Sequence, residues 1–198
     1  MQHDTARDRL VHCATNLFYR QGFHGTALEQ IIESAETTKT TLYKYFPSKE
    51  DLALECIKRR DARWRERLPQ LLCSGAGPDP VEQLRYVWTV WREWFGEPDF
   101  NGCMFIHACS EFPDPRHPCH VSAAENIAAI RGVIRSLAER ARFEDPVGFS
   151  ERYILVMQGA VIMEVVEPGS SAVATARAIA ESMLEDAVKT ADVPKAAG

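Results

Sequence analysis

Residues 37–46 read Thr-Thr-Lys-Thr-Thr-Leu-Tyr-Lys-Tyr-Phe. Leu42 and Phe46, four apart, are the clear apolar pair, and on a helix that spacing turns one narrow stripe inward. The outward face then carries small hydroxyls, two lysines and two phenols. Thr38 and Thr40 at the start of such a helix can approach base edges and phosphates closely. Lys39 and Lys44 neutralise phosphate charge, and Tyr43 and Tyr45 can donate an O–H to phosphate. A recognition helix needs this mixture at its N-terminal end. Plain solvation suits the same face equally well, since Thr and Lys are common surface residues.

A second group with chemical potential runs from Cys103 to His120 and holds three cysteines (Cys103, Cys109, Cys119) and three histidines (His107, His117, His120). Cys103 and His107 are i and i+4 on an expected helix and share a face, which would suit a soft metal or a redox site. Cys109 as a nucleophile with His107 or His117 as base would make a small enzyme. The spacing argues against these readings. There is no close Cys-x-x-Cys pair, no structural-zinc pattern, no orienting third group and no glycine-rich phosphate loop. The expectation is therefore no enzyme, no cofactor and no metal, with metal or redox sensing by this segment kept as the alternative to an organic ligand.

The elements that would position these groups are helical. Apolar residues recur at three- and four-residue spacing nearly throughout, and no stretch alternates with period two between hairpin turns. An all-α fold of about nine helices is expected. The first runs from about Asp4 to Arg20, with Leu10, Ala14, Leu17 and Phe18 on one stripe. Thr26-Ala27-Leu28-Glu29 has the spelling of a capping box, so a second helix should begin at Ala27. Its Leu28, Ile31, Ile32 and Ala35 form one face, and the third helix follows within a few residues, as in a helix-turn-helix. Ser48-Lys49-Glu50-Asp51 repeats the capping logic for a fourth helix that runs toward Leu68. The Arg-rich run 59–67 within it alternates with acids and reads as a solvated face.

Charge supports that placement. The net charge is −5, but residues 1–67 hold twelve Lys+Arg against ten Asp+Glu, whereas residues 68–198 hold eleven against eighteen. A phosphate-binding surface must lie in the first third, and the acidic remainder repels DNA. The start Met1-Gln2-His3-Asp4 has no apolar signal region, and no apolar run approaches the ~20 residues that a membrane helix requires. A cytoplasmic protein without a membrane segment is expected, its six cysteines held as thiols.

From about Pro80 the large side chains concentrate. Most are ordinary core, yet aromatics and thioethers with a few polar groups also describe a ligand cavity between helices. Trp91, Trp94, Phe105, His107 and Met157 are the candidates to line it, implying a small hydrophobic or aromatic ligand. Residues 153–166 are apolar on all sides, so that helix must be covered twice. The following helix, about 171–188, carries a series of alanines that permit close approach. A two-fold four-helix interface fits both facts, with Tyr153, Val156, Ala160, Ala176 and Ala180 as its candidates. The rival is a deeply buried monomer core.

The run Leu17-Phe18, Gly22-Phe23, Thr26, Ile31-Ile32, Ala35, Lys39, Leu42-Tyr43, Tyr45-Phe46 and Ser48-Lys49-Glu50-Asp51-Leu52 resembles the DNA-binding domain of the TetR/AcrR family. The resemblance covers about the first quarter of the chain. It implies that Lys39, Thr40 and Tyr43 face the major groove, while Thr26, Tyr45 and Lys49 hold phosphates. It also implies an effector pocket in the later part and dimerisation through the last two helices. Two departures stand out: the family usually has Gly in the inter-helix turn where this chain has Glu36, and often Gly where it has Thr40. Glu36 should strain the turn, and Thr40 should alter operator preference. The expected organisation is a DNA-binding domain over residues 1–48 and an effector-binding and dimerisation domain over 49–198. The expected function is a homodimeric repressor on an inverted-repeat, double-stranded operator, released by the effector. A purely structural or protein-binding helical module is the rival that the basic first third disfavours.

Overall fold

The computed structural model describes residues 5–191, so the tail beyond Ala191 and the start expected near Asp4 lie outside the described residues. Nine α-helices and no strand occur among the described residues: α1 Ala6–Gln21, α2 Leu28–Ser34, α3 Lys39–Tyr45, α4 Lys49–Ala76, α5 Pro80–Phe95, α6 Met104–Glu111, α7 Pro118–Arg140, α8 Pro146–Val166 and α9 Ala172–Ala191. The all-α expectation is met. No described helix is long and apolar enough to cross a membrane.

The helices form two compact units. The first comprises the described residues up to Trp64 together with Cys103–Ile127, and the second comprises Arg65–Gly102 with the described residues from Ala128 onward. In the first, α1 is capped by the Thr5 hydroxyl, which accepts from the Asp8 N–H at 3.2 Å. The helix ends at Gly22, whose φ of 79° is open to glycine at little cost. Leu10, Ala14 and Phe18 are fully buried and hold α1 against α2 and α3, which bring Ile31 and Leu42 to the same core.

Two local outcomes differ from the sequence reading. The cap of α2 is Ala27, and Gln30 Oε1 accepts its N–H at 3.0 Å. The Thr26-x-x-Glu29 capping box does not form, because the Thr26 hydroxyl donates instead to the Gly22 carbonyl at 2.7 Å. Helix α4 also continues past Leu68 through Pro69 to Ala76. The exposed proline forfeits one backbone bond there, while buried Leu68 and Leu72 hold the helix on either side.

In the second unit α9 packs on α8 and on α5. Leu84, Val87, Trp88, Tyr153, Met157 and Leu184 fill the space between them. Helix α8 is apolar all round, as the sequence indicated. Tyr153, Met157, Ala160 and Val161 face the core, whereas Leu155, Ile162, Met163 and Val166 are exposed.

Candidate nucleic-acid interface

The turn between α2 and α3 is closed by backbone bonds from Ala35 N–H to Ile31 O, from Glu36 N–H to Glu33 O and from Thr37 N–H to Ile32 O, at 2.9, 3.1 and 3.1 Å. Arg9 Nε donates to the Ala35 carbonyl at 3.1 Å, bringing a cation to the helix end that carries partial negative charge. Glu36 takes φ 47°, the left-handed region in which glycine is the comfortable residue. This is the strain that the departure at Glu36 foretold.

Helix α3 starts cleanly because Thr38 is its N-cap: the Thr38 hydroxyl accepts from Thr41 N–H at 3.2 Å and bonds the Thr41 hydroxyl at 2.9 Å. Leu42 and Phe46 are buried, and Thr38, Lys39, Thr40, Tyr43, Lys44 and Tyr45 are all exposed. Those six are therefore all open to solvent around a short helix that Leu42 and Phe46 anchor. Lys39 makes one long contact with Glu29 at 3.9 Å, both side chains well exposed, and such a pair restrains a lysine little. The Lys44 ammonium lies 5.9 Å from the Tyr45 ring centre.

Lys49 opens α4 and donates to the His24 carbonyl at 3.2 Å. An ammonium has three donors, so two remain for another acceptor. Thr26, expected at a phosphate, is 1% exposed with its hydroxyl committed to Gly22, and its place is inside the turn. A contact that sequence reading missed lies beside it. Glu111, the last residue of α6, accepts from the N–H groups of Phe23 at 2.9 Å and His24 at 2.6 Å. His24 Nε2 donates to the Glu111 carbonyl at 2.8 Å. No sequence signal links positions 87 and 88 residues apart.

The cysteine- and histidine-rich segment is tied up in its own unit. His120 Nδ1 donates to the Phe112 carbonyl at 2.8 Å, and His117 stacks on Phe112 with ring centres 4.6 Å apart. The Cys119 thiol points at the Glu50 carbonyl at 3.7 Å. Burial pushes the Cys103 and Cys109 thiols up and the Cys119 thiol to about 12, favouring the protonated form. Burial pushes His107 down, toward the neutral ring. Among the described residues no three His, Cys, Asp or Glu side chains gather as a metal site.

The five residues expected around a ligand divide between the units. Phe105 and His107 belong to the first, and Trp91, Trp94 and Met157 to the second. A cavity of about 530 Å³ lies within the second unit, between the end of α5 and the turn joining α8 to α9. Phe95, Phe100, Val165 and Val173 form its apolar walls, and Arg92, Glu97 and Glu164 contribute charge; none of the five expected residues lines it. Of the expected interface residues, Tyr153, Ala160, Ala176 and Ala180 are buried within the single chain and Val156 is half-buried. Side chains already covered by their own fold cannot offer area to a partner.

Residues 10–56, which span α1 to the start of α4, match the family model described as bacterial regulatory proteins, tetR family. The HTH-type transcriptional repressor NemR of Escherichia coli is 30% identical over 138 residues, covering 70% of this chain and 67% of NemR. The HTH-type transcriptional regulator YjdC of the same organism is 27% identical over 181 residues, 90% of this chain and 93% of YjdC. Among solved structures, a TetR-family transcriptional regulator from Streptomyces coelicolor superposes with a TM-score of 0.86 at 27% identity, over 92% of this chain and 96% of that one. With its helix-turn-helix geometry, the chain belongs to the tetR family of DNA-binding transcription regulators.

Proposed function

We propose that this regulator is a cytoplasmic, dimeric repressor that grips an inverted-repeat operator and lets go when a small organic effector binds. The carrying observation is the surface of α3, where Thr38, Lys39, Thr40, Tyr43, Lys44 and Tyr45 are exposed together over a buried Leu42–Phe46 anchor. Lys39, Thr40 and Tyr43 read base edges, while Lys44, Tyr45 and Lys49 hold phosphates. Residues 1–48, with Lys49 at the start of α4, carry the DNA-binding role and the rest of 49–198 the effector and dimer roles. Two recognition helices must sit about 34 Å apart to enter successive major grooves. An effector acts by favouring another spacing, with coupling bounded by its differential affinity for the two states, typically about 1–3 kcal/mol.

Support for the dimer comes from α8 and α9: Leu155 is 72% exposed, Val166 65% and Ile179 47%, a quantity of apolar surface that a lone chain gains nothing by showing. Support for an effector comes from the cavity within the second unit, whose volume falls in the range of small-molecule sites and whose Phe95 and Phe100 rings suit an aromatic or apolar compound. The test is nuclease protection of DNA flanking the gene, with a panel of hydrophobic compounds added. Protection of an inverted repeat that disappears in the Lys44→Ala/Lys49→Ala double variant is expected, with the salt slope lower by about two. Protection that survives the double change at moderate salt would overturn the assignment.

A further inference from the structure

Glu111 stands at the C-terminal end of α6, where the helix dipole makes a carboxylate unwelcome. Its side chain is instead satisfied from a distant turn. Both carboxylate oxygens are used, one on the Phe23 N–H at 2.9 Å and the other on the His24 N–H at 2.6 Å. The Glu111 carbonyl takes a third bond from His24 Nε2 at 2.8 Å. Backbone bonds to a charged acceptor are among the stronger ones in proteins. The neighbouring Phe112 ring packs edge-on against Phe23 and His24, with centres 5.5 and 5.2 Å away. The Glu111 carboxylate also lies close to Gly22, where an added Cβ would come within 2.9 Å of Glu111 Oε1 and require the carboxylate to shift. The held turn is the same one whose His24 carbonyl receives the Lys49 ammonium at 3.2 Å.

We propose that Glu111 is a positioning residue for DNA binding: from outside the helix-turn-helix it fixes the 23–24 turn and so aims the Lys49 ammonium. The proposal rests on Lys49 being a phosphate contact. Without the carboxylate, the two N–H groups turn to water, the His24 carbonyl loses its fixed direction, and Lys49 loses the acceptor that orders its long, flexible stem. Helix α6 is then as much a part of the DNA reader as α2 and α3.

The experiment uses the full chain and its Glu111→Gln, Glu111→Ala, Lys49→Ala and Glu111→Ala/Lys49→Ala variants, with a mixed-sequence DNA duplex as probe, since a phosphate contact is sequence-independent. Amide resonances of Phe23 and His24, whose N–H groups donate to the Glu111 carboxylate, should be displaced in Glu111→Gln and in Glu111→Ala relative to the unmodified protein. Glu111→Ala should weaken duplex binding about tenfold and lower the salt slope by about one, to the Lys49→Ala value, with no further fall in the double variant. Glu111→Gln, which keeps one acceptor, should fall between. Unchanged affinity and slope in Glu111→Ala, or a slope loss that adds to that of Lys49→Ala, would overturn the proposal. A Lys49→Ala slope equal to that of the unmodified protein would instead remove the phosphate reading of Lys49 on which it stands. Should Glu111→Ala fail to fold, the Gln variant decides through the same slope and amide signals.

Discussion

The Tyr153 hydroxyl on α8 donates to the Leu84 carbonyl on α5 at 2.6 Å, inside the core of the second unit. Its ring lies against Trp88 and Phe149, with centres 5.7 and 5.5 Å away. Burial pushes the phenol up, well above the ordinary tyrosine range. Tyr153→Phe should cost about 1 kcal/mol at neutral pH, the net worth of one such bond. A folded-state value above the unfolded one means that this contribution is complete below about pH 10 and shrinks as pH rises further. Urea unfolding at pH 7 and above pH 10 should show the gap between the two proteins narrowing. A gap constant with pH would contradict the assignment.

Glu36 is the residue to relax. At φ 47° an L side chain carries about 1–2 kcal/mol of backbone strain, part of which glycine returns through its freer unfolded chain. Glu36→Gly should therefore stabilise the protein by roughly 0.5–1 kcal/mol, read as a higher thermal midpoint. Since Glu36 is exposed, duplex binding should change only by the lost negative charge near the interface. A lower midpoint would mean that its carboxylate makes up for the strain.

How much of this was legible depended on whether the signal was local. The α2–α3 turn could be read because the break and the apolar phases of Ile31 and Leu42 lie within a dozen residues, whereas the strain at Glu36 was implied only by the family resemblance, which puts glycine in that turn. Thr26 misled because a Thr-x-x-Glu spelling names a donor and an acceptor without saying where else the hydroxyl can go, and here the Gly22 carbonyl claims it. Helix α8 was expected to be covered twice, yet a helix apolar all round has no phase to show which side meets its own core. Tyr153 and Ala160 were thus expected outward, and Leu155 and Ile162 proved to be the outer ones. Glu111 was invisible as a clamp because nothing at residue 111 announces a turn at residue 23.

Asp8 should govern part of the acid response. The Thr5 hydroxyl first, and the Arg59 guanidinium at 2.8 Å next, hold its carboxyl at about 2, below the usual carboxylate range. A depressed folded-state value means that the contribution is present at neutral pH and is lost as pH falls from about 4 toward 2. Asp8→Asn should therefore be less stable than the unmodified protein at pH 6 and draw level with it in that acid window. Thermal midpoints of both proteins across pH 2–6 measure this. Curves that stay parallel down to pH 2 would assign the acid response to other groups.

The outer face of α8 and α9 makes the sharpest division between a partner contact and a core. Leu155, Ile162 and Val166 recur at seven and four residues along α8, so they form one stripe, and Ile179 is exposed on α9, which packs against α8. Leu155→Arg puts a charge on a side chain that is 72% exposed in the single chain, so it should leave each chain folded. In a dimer joined through this stripe the same charge is buried unpaired, which costs several kcal/mol and splits the pair. Ala160→Arg should behave differently: residue 160 is buried in the chain's own core, and the charge should unfold the second unit rather than release intact monomers. Sedimentation with circular dichroism on both variants separates the cases. Folded monomers from Leu155→Arg, lost helicity from Ala160→Arg and a dimer for the unmodified chain are expected. A folded dimer from Leu155→Arg would place the interface elsewhere. Because two half-sites must be held at once, the monomeric variant should also lose most of its affinity for an inverted repeat while keeping the weak, salt-sensitive binding of a single reader.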